Sequence, residues 1–344
     1  MKLNNLLADD YITSNNFAKR SQVVFSEVMS KMEFYDLPPN NYKIIYEREN
    51  EICYLNPEFR LNENDIIFSN TEFISFLFRS LNKVNNLKNI KLITHWSDRT
   101  IEKKMFFNRP KIISEWFSVH INHIDEKLIS VPLGLSGNYS KKNLIPKYFQ
   151  TFNKQENIKK ENLLYINFQK NTNSLIRNEI NEIFEKYEWV KIDKPNLDLD
   201  SYLIELSKAK FVLCPFGNGF DTHRLWETIY AGSIPIIIDH PSYNSTKDLP
   251  VVKVKSFSEI NKNFLIDKYE ELKNEVFNYK KLDVNYWVDK VNNKTLNSTN
   301  YSNIKFSNLE ILYIKKYFLL MQNINRAKKI VRFRINQIKK ISKN

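Results

Sequence analysis

From Lys210 to Asp239 the chain reads KFVLCPFGNGFDTHRLWETIYAGSIPIIID, two apolar runs separated by a polar loop and a stretch of helical spacing. Phe211 to Cys214 has the unbroken apolar character of a strand buried on both faces, and Ile234 to Ile238 repeats it. Between them Leu225, Trp226, Ile229 and Tyr230 fall on one side of a helix, and Gly232 suits its C-terminal stop. Pro215 ends the first strand. Gly217 and Gly219 are expected to give the loop backbone angles closed to other residues, and Asp221 to cap the helix with its carboxylate. The unit is one half of a doubly wound α/β sheet.

The same alternation runs through the rest of the chain. Strands are predicted over Tyr42 to Tyr46, Asp65 to Phe68, Lys91 to His95, Trp116 to His120 and Leu128 to Pro132. A helix over Phe73 to Val84 follows Asn70 and Thr71, both good capping types. Lys2 to Lys31 is expected to be largely helical, with Phe17, Val23, Val24 and Val28 as core contacts. A second series follows, with strands at Leu163 to Phe168, Trp189 to Ile192 and Val251 to Val254. Its helices are Ser174 to Tyr187, Ser201 to Lys208 and Ser258 to Asn278. Residues 1–150 and 160–300 are therefore expected as two α/β domains, joined through the polar segment Ser136 to Glu161, with 301–344 as a C-terminal extension.

Composition narrows the class. A chain of 344 residues can build two cores, and only Cys53 and Cys214 are present, so no disulfide framework is implied and a reducing cytoplasm is expected. MKLNNLLADDYITSNN meets acidic residues before an apolar core develops, unlike a secretory signal, and no run approaches membrane-spanning length. The net charge of +13 is unevenly placed: Arg326 to Asn344 holds eight Lys or Arg and no acidic residue. Within that tail Ala327, Val331, Ile335, Ile338 and Ile341 recur at three- and four-residue intervals. The pattern suits either a basic amphipathic helix on an anionic membrane surface or a solvated terminal tail. Nucleic acid is not expected as a partner, because zinc spacing, a recognition helix and aromatic RNA-binding strands are all missing from the sequence.

Candidate chemistry gathers where strands end. Open α/β sheets bind ligands at the carboxyl ends of their strands, and a helix N-terminus favours anions. Arg224 offers a fork of donors to phosphate, and Glu227 could accept from the two hydroxyls of a pentose; an ordinary Arg–Glu surface pair is the alternative. Gly217, Asn218, Gly219, Asp221, Thr222 and His223 complete this donor-binding set. Arg177, at the start of the helix after the first strand of the second domain, is a second phosphate candidate or a plain surface arginine. Asn171 and Thr172 precede it as phosphate donors or simple caps. Asp198-Leu199-Asp200 resembles a metal-binding DxD but sits where capping explains it, and the five histidines lack paired-ligand spacing. No metal site is expected.

GNGFDTHRLWETIYAGSIPIII resembles the donor-site segment of exostosin-like glycosyltransferases and of a bacterial, algal and viral branch related to ribitol xylosyltransferases. LITHWSDR (92–99), WFSVHINHIDEKLISVPLGL (116–135) and LLYINFQKNTNSLIR (163–177) agree with that branch in matching order. The resemblance implies a GT-B fold, two Rossmann-like doubly wound domains facing across a cleft, with Phe306 to Ile324 as a helix returning to the first domain. It also implies inverting transfer of a sugar from a nucleotide-sugar donor, usually without a bound metal or other cofactor.

A transferase also needs a base for the acceptor hydroxyl. His95 and Asp98 lie just past a first-domain strand, across the expected cleft from the donor, or are simply a half-buried histidine and a turn residue. Glu115, His120 and His123 are outside candidates. The expected acceptor is a glycan or lipid-linked glycan of the capsule or lipopolysaccharide type, handled at the inner face of the cytoplasmic membrane. A non-catalytic nucleotide-binding module and a phosphopolyol transferase are the alternatives.

Overall fold

The computed structural model describes residues 6–152, 158–169, 172–292 and 299–341, and within the basic segment 326–344 it describes side chains only at Ala327 and Val331. The chain opens with α1 (Ser14–Lys19), capped by the Thr13 hydroxyl, which accepts from the Asn16 amide. It then turns into β1 (Val23–Ser30) rather than continuing as the helix expected over this region. The run VVFSEVMS explains the difference, since branched valines favour a pleated backbone over a helical one. There follow α2 (Lys31–Tyr35), β2 (Lys43–Glu47), β3 (Glu51–Leu55), β4 (Glu58–Asn62), β5 (Ile66–Asn70), α3 (Ile74–Leu81), β6 (Ile90–His95), α4 (Lys103–Phe107), β7 (Ile113–Ser118) and β8 (Leu128–Ser130).

Seven strands form the first sheet in the order β2-β3-β1-β5-β6-β7-β8. From β1 to β8 all neighbours are parallel, and β3 and β2 extend the edge as an antiparallel hairpin. Parallel pairing of this kind buries both faces. One face carries α3, α4 and the late helix α11 (Asn308–Ile341), with Phe25, Ile67, Leu77, Phe106, Trp116 and Phe318 in a single cluster.

The second half contains α5 (Pro146–Phe152), β9 (Asn162–Ile166), α6 (Ser174–Phe184), β10 (Val190–Ile192), α7 (Leu199–Lys208), β11 (Ala209–Leu213), α8 (His223–Tyr230), β12 (Ile234–Ile238), β13 (Val252–Val254), α9 (Lys262–Lys273), α10 (Val284–Val291) and β14 (Tyr301–Lys305). Its five strands are all parallel in the order β10-β9-β11-β12-β13. The order reverses between β9 and β11, which makes the carboxyl ends of those two strands the topological switch point of a doubly wound sheet.

The two sheets share one apolar core. Phe68, Ile93 and Phe117 of the first sheet belong to the same cluster as Val212 of β11 in the second and Trp226 and Tyr230 of α8, the helix that follows that strand. The segment 136–161, expected as the polar linker between the domains, is docked into that core by Leu144 and Phe149, and α5 forms within it; residues 153–157 lie outside the described residues. The chain also returns to the first domain before residue 301. Val284 at the start of α10 donates its amide to Asp10, and Tyr11 bridges to Asp283. Next, β14 pairs antiparallel with β4. Then α11 lies against the first sheet, where the Phe318 ring stacks on Tyr46 at 5.3 Å and 4°.

Candidate active site

Loops from the carboxyl ends of both sheets meet. After β11, Cys214 to Asp221 crosses toward the first domain, and three first-domain loops receive it. Asp221 is buried, and its carboxylate accepts from the Leu133 amide beyond β8 at 2.9 Å, from the Thr222 amide at 2.8 Å and from the Trp226 indole at 2.9 and 3.0 Å. Its own amide donates to His120 Nδ1 beyond β7 at 3.3 Å. Burial drives the Asp221 pKa up to about 7 against the lowering effect of those donors. The expected cap is therefore displaced by one residue. Thr222 is the N-cap of α8, without a side-chain cap bond, while Asp221 ties the two domains together.

The glycines serve a different purpose from the one the sequence suggests. Neither Gly217 nor Gly219 takes a positive φ; among the described glycines only Gly134 and Gly232 do. Gly219 is required by proximity instead. A Cβ there would lie 2.5 Å from His120 Nε2, 2.6 Å from its Cε1 and 3.2 Å from Asp98 Oδ1. Gly217 is the floor of a small convergence: a Cβ added to it would find Thr222 Cγ2 at 3.5 Å, Arg177 Nη2 at 3.7 Å and Thr172 Cγ2 at 3.8 Å.

Arg177 of α6 lies beside this floor, and Arg224 of α8 lies close enough to repel it. Arg177 is buried in the first turn of α6 and donates from Nη1 to the Gln169 carbonyl at 2.6 Å while its Nε is buried without a partner. Burial, followed by repulsion from Arg224, pushes its pKa down to about 10. Arg224, in the first turn of α8, donates from Nη1 to the Tyr202 hydroxyl at 2.9 Å. None of the ion pairs among the described residues includes either arginine. Thr222 Oγ1, at the helix start between them, is likewise buried without a partner. Two guanidinium groups close enough to repel each other, an unpaired hydroxyl and a helix N-terminus thus gather at the switch point. That arrangement attracts an anion. Thr172 takes part, whereas Asn171 lies outside the described residues.

Glu227 is placed differently from the sequence expectation. It is 3% exposed, and both carboxylate oxygens hold protein partners: Oε1 accepts from the Leu144 amide at 3.2 Å and Oε2 from the Tyr202 hydroxyl at 3.1 Å. Tyr202 therefore joins Arg224 to Glu227, accepting from one and donating to the other. A carboxylate in that position orients the arginine and anchors the 144 segment, with one bond on each oxygen. Tyr202 was not recognisable beforehand, because a tyrosine on an amphipathic helix reads as core.

On the first-domain side, His95 is 1% exposed with both ring nitrogens engaged. Nδ1 accepts from the Trp96 amide at 2.9 Å, so Nε2 carries the proton and faces the Pro132 carbonyl at 3.2 Å. Burial lowers its pKa to about 3. It has no lone pair for an acceptor hydroxyl and is a strand-end structural histidine. Asp98 is better situated. Trp96 takes φ of 56°, a left-handed conformation that costs a bulky residue about 1–3 kcal/mol. Beyond that turn the Asp98 carboxyl meets the Asn218 side chain and the Gly219 amide. Burial of the carboxyl raises its pKa above the ordinary value, opposed by those two hydrogen bonds and by His223 and assisted by Glu72, although the residue keeps an exposed face. Glu72 itself accepts from Ser97 at 2.5 Å. It is a carboxylate the sequence did not single out, because it follows a strand as an ordinary helix-start residue. His223 bonds through Nδ1 to the Gly134 carbonyl at 2.8 Å.

The outside candidates are engaged elsewhere. Glu115 pairs with Lys91, and His123 packs on the rings of Phe106 and Phe107. His120 is the interdomain contact already described. Asp198 caps α7 through the Ser201 amide at 2.9 Å. Among the described residues no group of three His, Cys, Asp or Glu could hold a metal, and no helix is long and apolar enough to cross a membrane.

No family model and no curated protein matches the chain. Among solved structures, an alpha1,3-fucosyltransferase is 16% identical over 75% of this chain and 78% of its own, with a TM-score of 0.29. The same type of enzyme with GDP-fucose is 14% identical over 74% and 77%, again at 0.29. A UDP-GlcNAc 2-epimerase from Methanocaldococcus jannaschii is 13% identical over 65% and 76%, also at 0.29. With superpositions this loose, the strand order and the loop contacts above define the α/β fold and its facing domains.

Proposed function

We propose that the protein is a glycosyltransferase that moves a sugar from a nucleotide-sugar donor to a glycan acceptor. One observation carries this reading: Arg177, which has no ion-pair partner among the described residues, lies close enough to Arg224 to be repelled by it, near the unpaired Thr222 hydroxyl at the switch point and the start of α8, while Arg224 meets the Glu227 carboxylate only through Tyr202. Keeping two desolvated cations together costs stability, and a diphosphate would offset that cost. The amides near Gly217, Asn218 and Gly219 and the first turn of α8 add donors. In this reading Glu227 positions Arg224 through Tyr202.

Transfer then requires charge stabilisation on the leaving diphosphate and a base for the acceptor. The arginines supply the first, which makes a metal ion dispensable. Asp98, with its raised pKa and its contact with the donor loop, supplies the second. It takes the proton of the acceptor hydroxyl while that oxygen bonds to the anomeric carbon and the diphosphate departs with its bonding pair. A single displacement of this kind inverts the anomeric centre. The acceptor proposed is a surface glycan of the capsule or lipopolysaccharide type, lipid-linked at the cytoplasmic face of a membrane. The basic segment 326–344 supplies charge to hold the enzyme there.

The test is a panel of nucleotide-sugar donors with and without chelator, followed by release of nucleoside diphosphate. The wild type should release diphosphate from one donor class with chelator present. Asp98→Asn should bind that donor with unchanged affinity but turn over about 100- to 10,000-fold more slowly. Saturable binding without release from any donor, across acceptors, would instead identify a nucleotide-binding module.

A further inference from the structure

A surface helix normally buries one stripe and presents polar residues on the other. α11 departs from this. Its inner face seats Ile314 and Phe318 in the first-domain core. At 100° per residue, Leu309, Tyr313, Leu320, Ile324 and Val331 all fall within about 60° of one another on the opposite, outward face. Leu309 is 79% exposed, Leu320 56% and Val331 55%. The row runs for about 33 Å at the helical rise of 1.5 Å per residue, with exposed Lys316 at its border and Tyr313 also touching Phe76, and large apolar side chains exposed in a row on one helix face mark a candidate docking surface. In sequence the same positions of the wheel continue through Ile335 and Ile338, with Lys316 and Arg334 at the border of the stripe and Arg326, Lys329 and Arg332 on the other side.

From this placement we infer that the outward face of α11, from Leu309 onward, is a membrane-docking surface that lies in the interface of an anionic bilayer. The docking element is then not the basic tail alone. The apolar stripe extends back onto the folded body, so a helix rigidly packed on the first sheet sets how that domain sits on the membrane. Charge complementarity selects the occupant: the eight cations between Arg326 and Asn344 come without an acidic residue, which favours anionic lipid over a second copy of this basic chain. Embedding the stripe buries the exposed leucines, and the flanking cations meet headgroups. This inference is independent of the transfer chemistry.

The experiment is sedimentation of the full chain with vesicles of phosphatidylglycerol and phosphatidylethanolamine, and with phosphatidylcholine alone. The wild type should bind the anionic vesicles and not the neutral ones. The variant Leu309→Gln, Leu320→Gln, Ile324→Gln keeps every cation and should bind at least about tenfold more weakly. Its melting temperature reports whether the fold is intact. As a probe that leaves the remaining stripe in place, Leu320→Cys is labelled with an environment-sensitive fluorophore; Cys53 and Cys214 are buried and escape the label. The label should shift to the blue on anionic vesicles. An unshifted label, equal binding by the triple variant, or equal binding to neutral vesicles would overturn the inference. So would a wild-type dimer that the triple variant dissolves, since the stripe would then belong to a second copy.

Discussion

Gly219 lies so close to His120 that a single added methyl group would sit 2.5 Å from the ring Nε2. The contact joins the loop after β11 to the loop after β7, and both partners belong to the wall that the two domains share. Gly219→Ala should therefore push His120 out of its buried position and cost about 1–3 kcal/mol in urea unfolding. Gly217→Ala meets only ordinary contacts and should leave unfolding unchanged within about 0.5 kcal/mol, while reducing nucleotide affinity by filling the floor beneath Arg177.

Glu227 separates a positioning role from a ribose-gripping one. Glu227→Ala removes the acceptor of the Leu144 amide and the acceptor of the Tyr202 hydroxyl at once. Each of the two buried donors left unpaired costs about 1–3 kcal/mol, so a loss of about 2–6 kcal/mol is expected by chemical denaturation. Glu227→Gln retains one acceptor and should lose less. Unchanged stability with a selective loss of nucleoside affinity would instead assign the carboxylate to the ligand.

His95 gives the protein an acid-sensitive joint. Its pKa in the folded chain is lowered to about 3 by burial, against about 6.5 unfolded. The native state thus holds fewer protons than the unfolded one between those values. The stability contributed by neutral His95 is complete above about pH 6.5 and is lost as pH falls toward 3, by about 3–5 kcal/mol in total. Glu27 and Asp221, both raised to about 7 by burial, act in the opposite sense, losing stability as pH rises from about 4 to 7. A difference measurement isolates the histidine. The stability gap between wild type and His95→Gln should narrow steadily as pH falls from 6.5 to 4; a constant gap would contradict the assignment.

Much of this was legible in the chain, for physical reasons that can be named. The buried parallel strands β6, β9, β11 and β12 announce themselves as apolar runs, and Arg177 and Arg224 were found because they follow such runs into helices. What pattern could not give was the partner of each polar group. The Asp221 carboxylate looks like a cap, yet it spends its lone pairs on Leu133 and Trp226, residues 88 and 5 positions away. Tyr202 and Glu72 matter through contacts across 25 positions each, which no local spacing encodes. β1 was read as helix because its periodicity is broken by buried Ser26 and Glu27, polar residues held in the interior by Ser69, Asn15 and Tyr54.

The central claim is that Arg177 and Arg224 hold a diphosphate, and calorimetric titration of UDP and GDP into wild type and Arg177→Met tests it most directly. Methionine preserves the packing against Phe168 and removes a buried charge, so the variant should fold with equal or greater stability, by up to about 1 kcal/mol. Wild type should bind one of the two nucleotides saturably, and the variant about 10- to 100-fold more weakly, the cost of losing a charge-assisted pair of hydrogen bonds. Equal affinity in a folded Arg177→Met, or binding that persists unchanged when Arg224→Ala is added, would contradict the account.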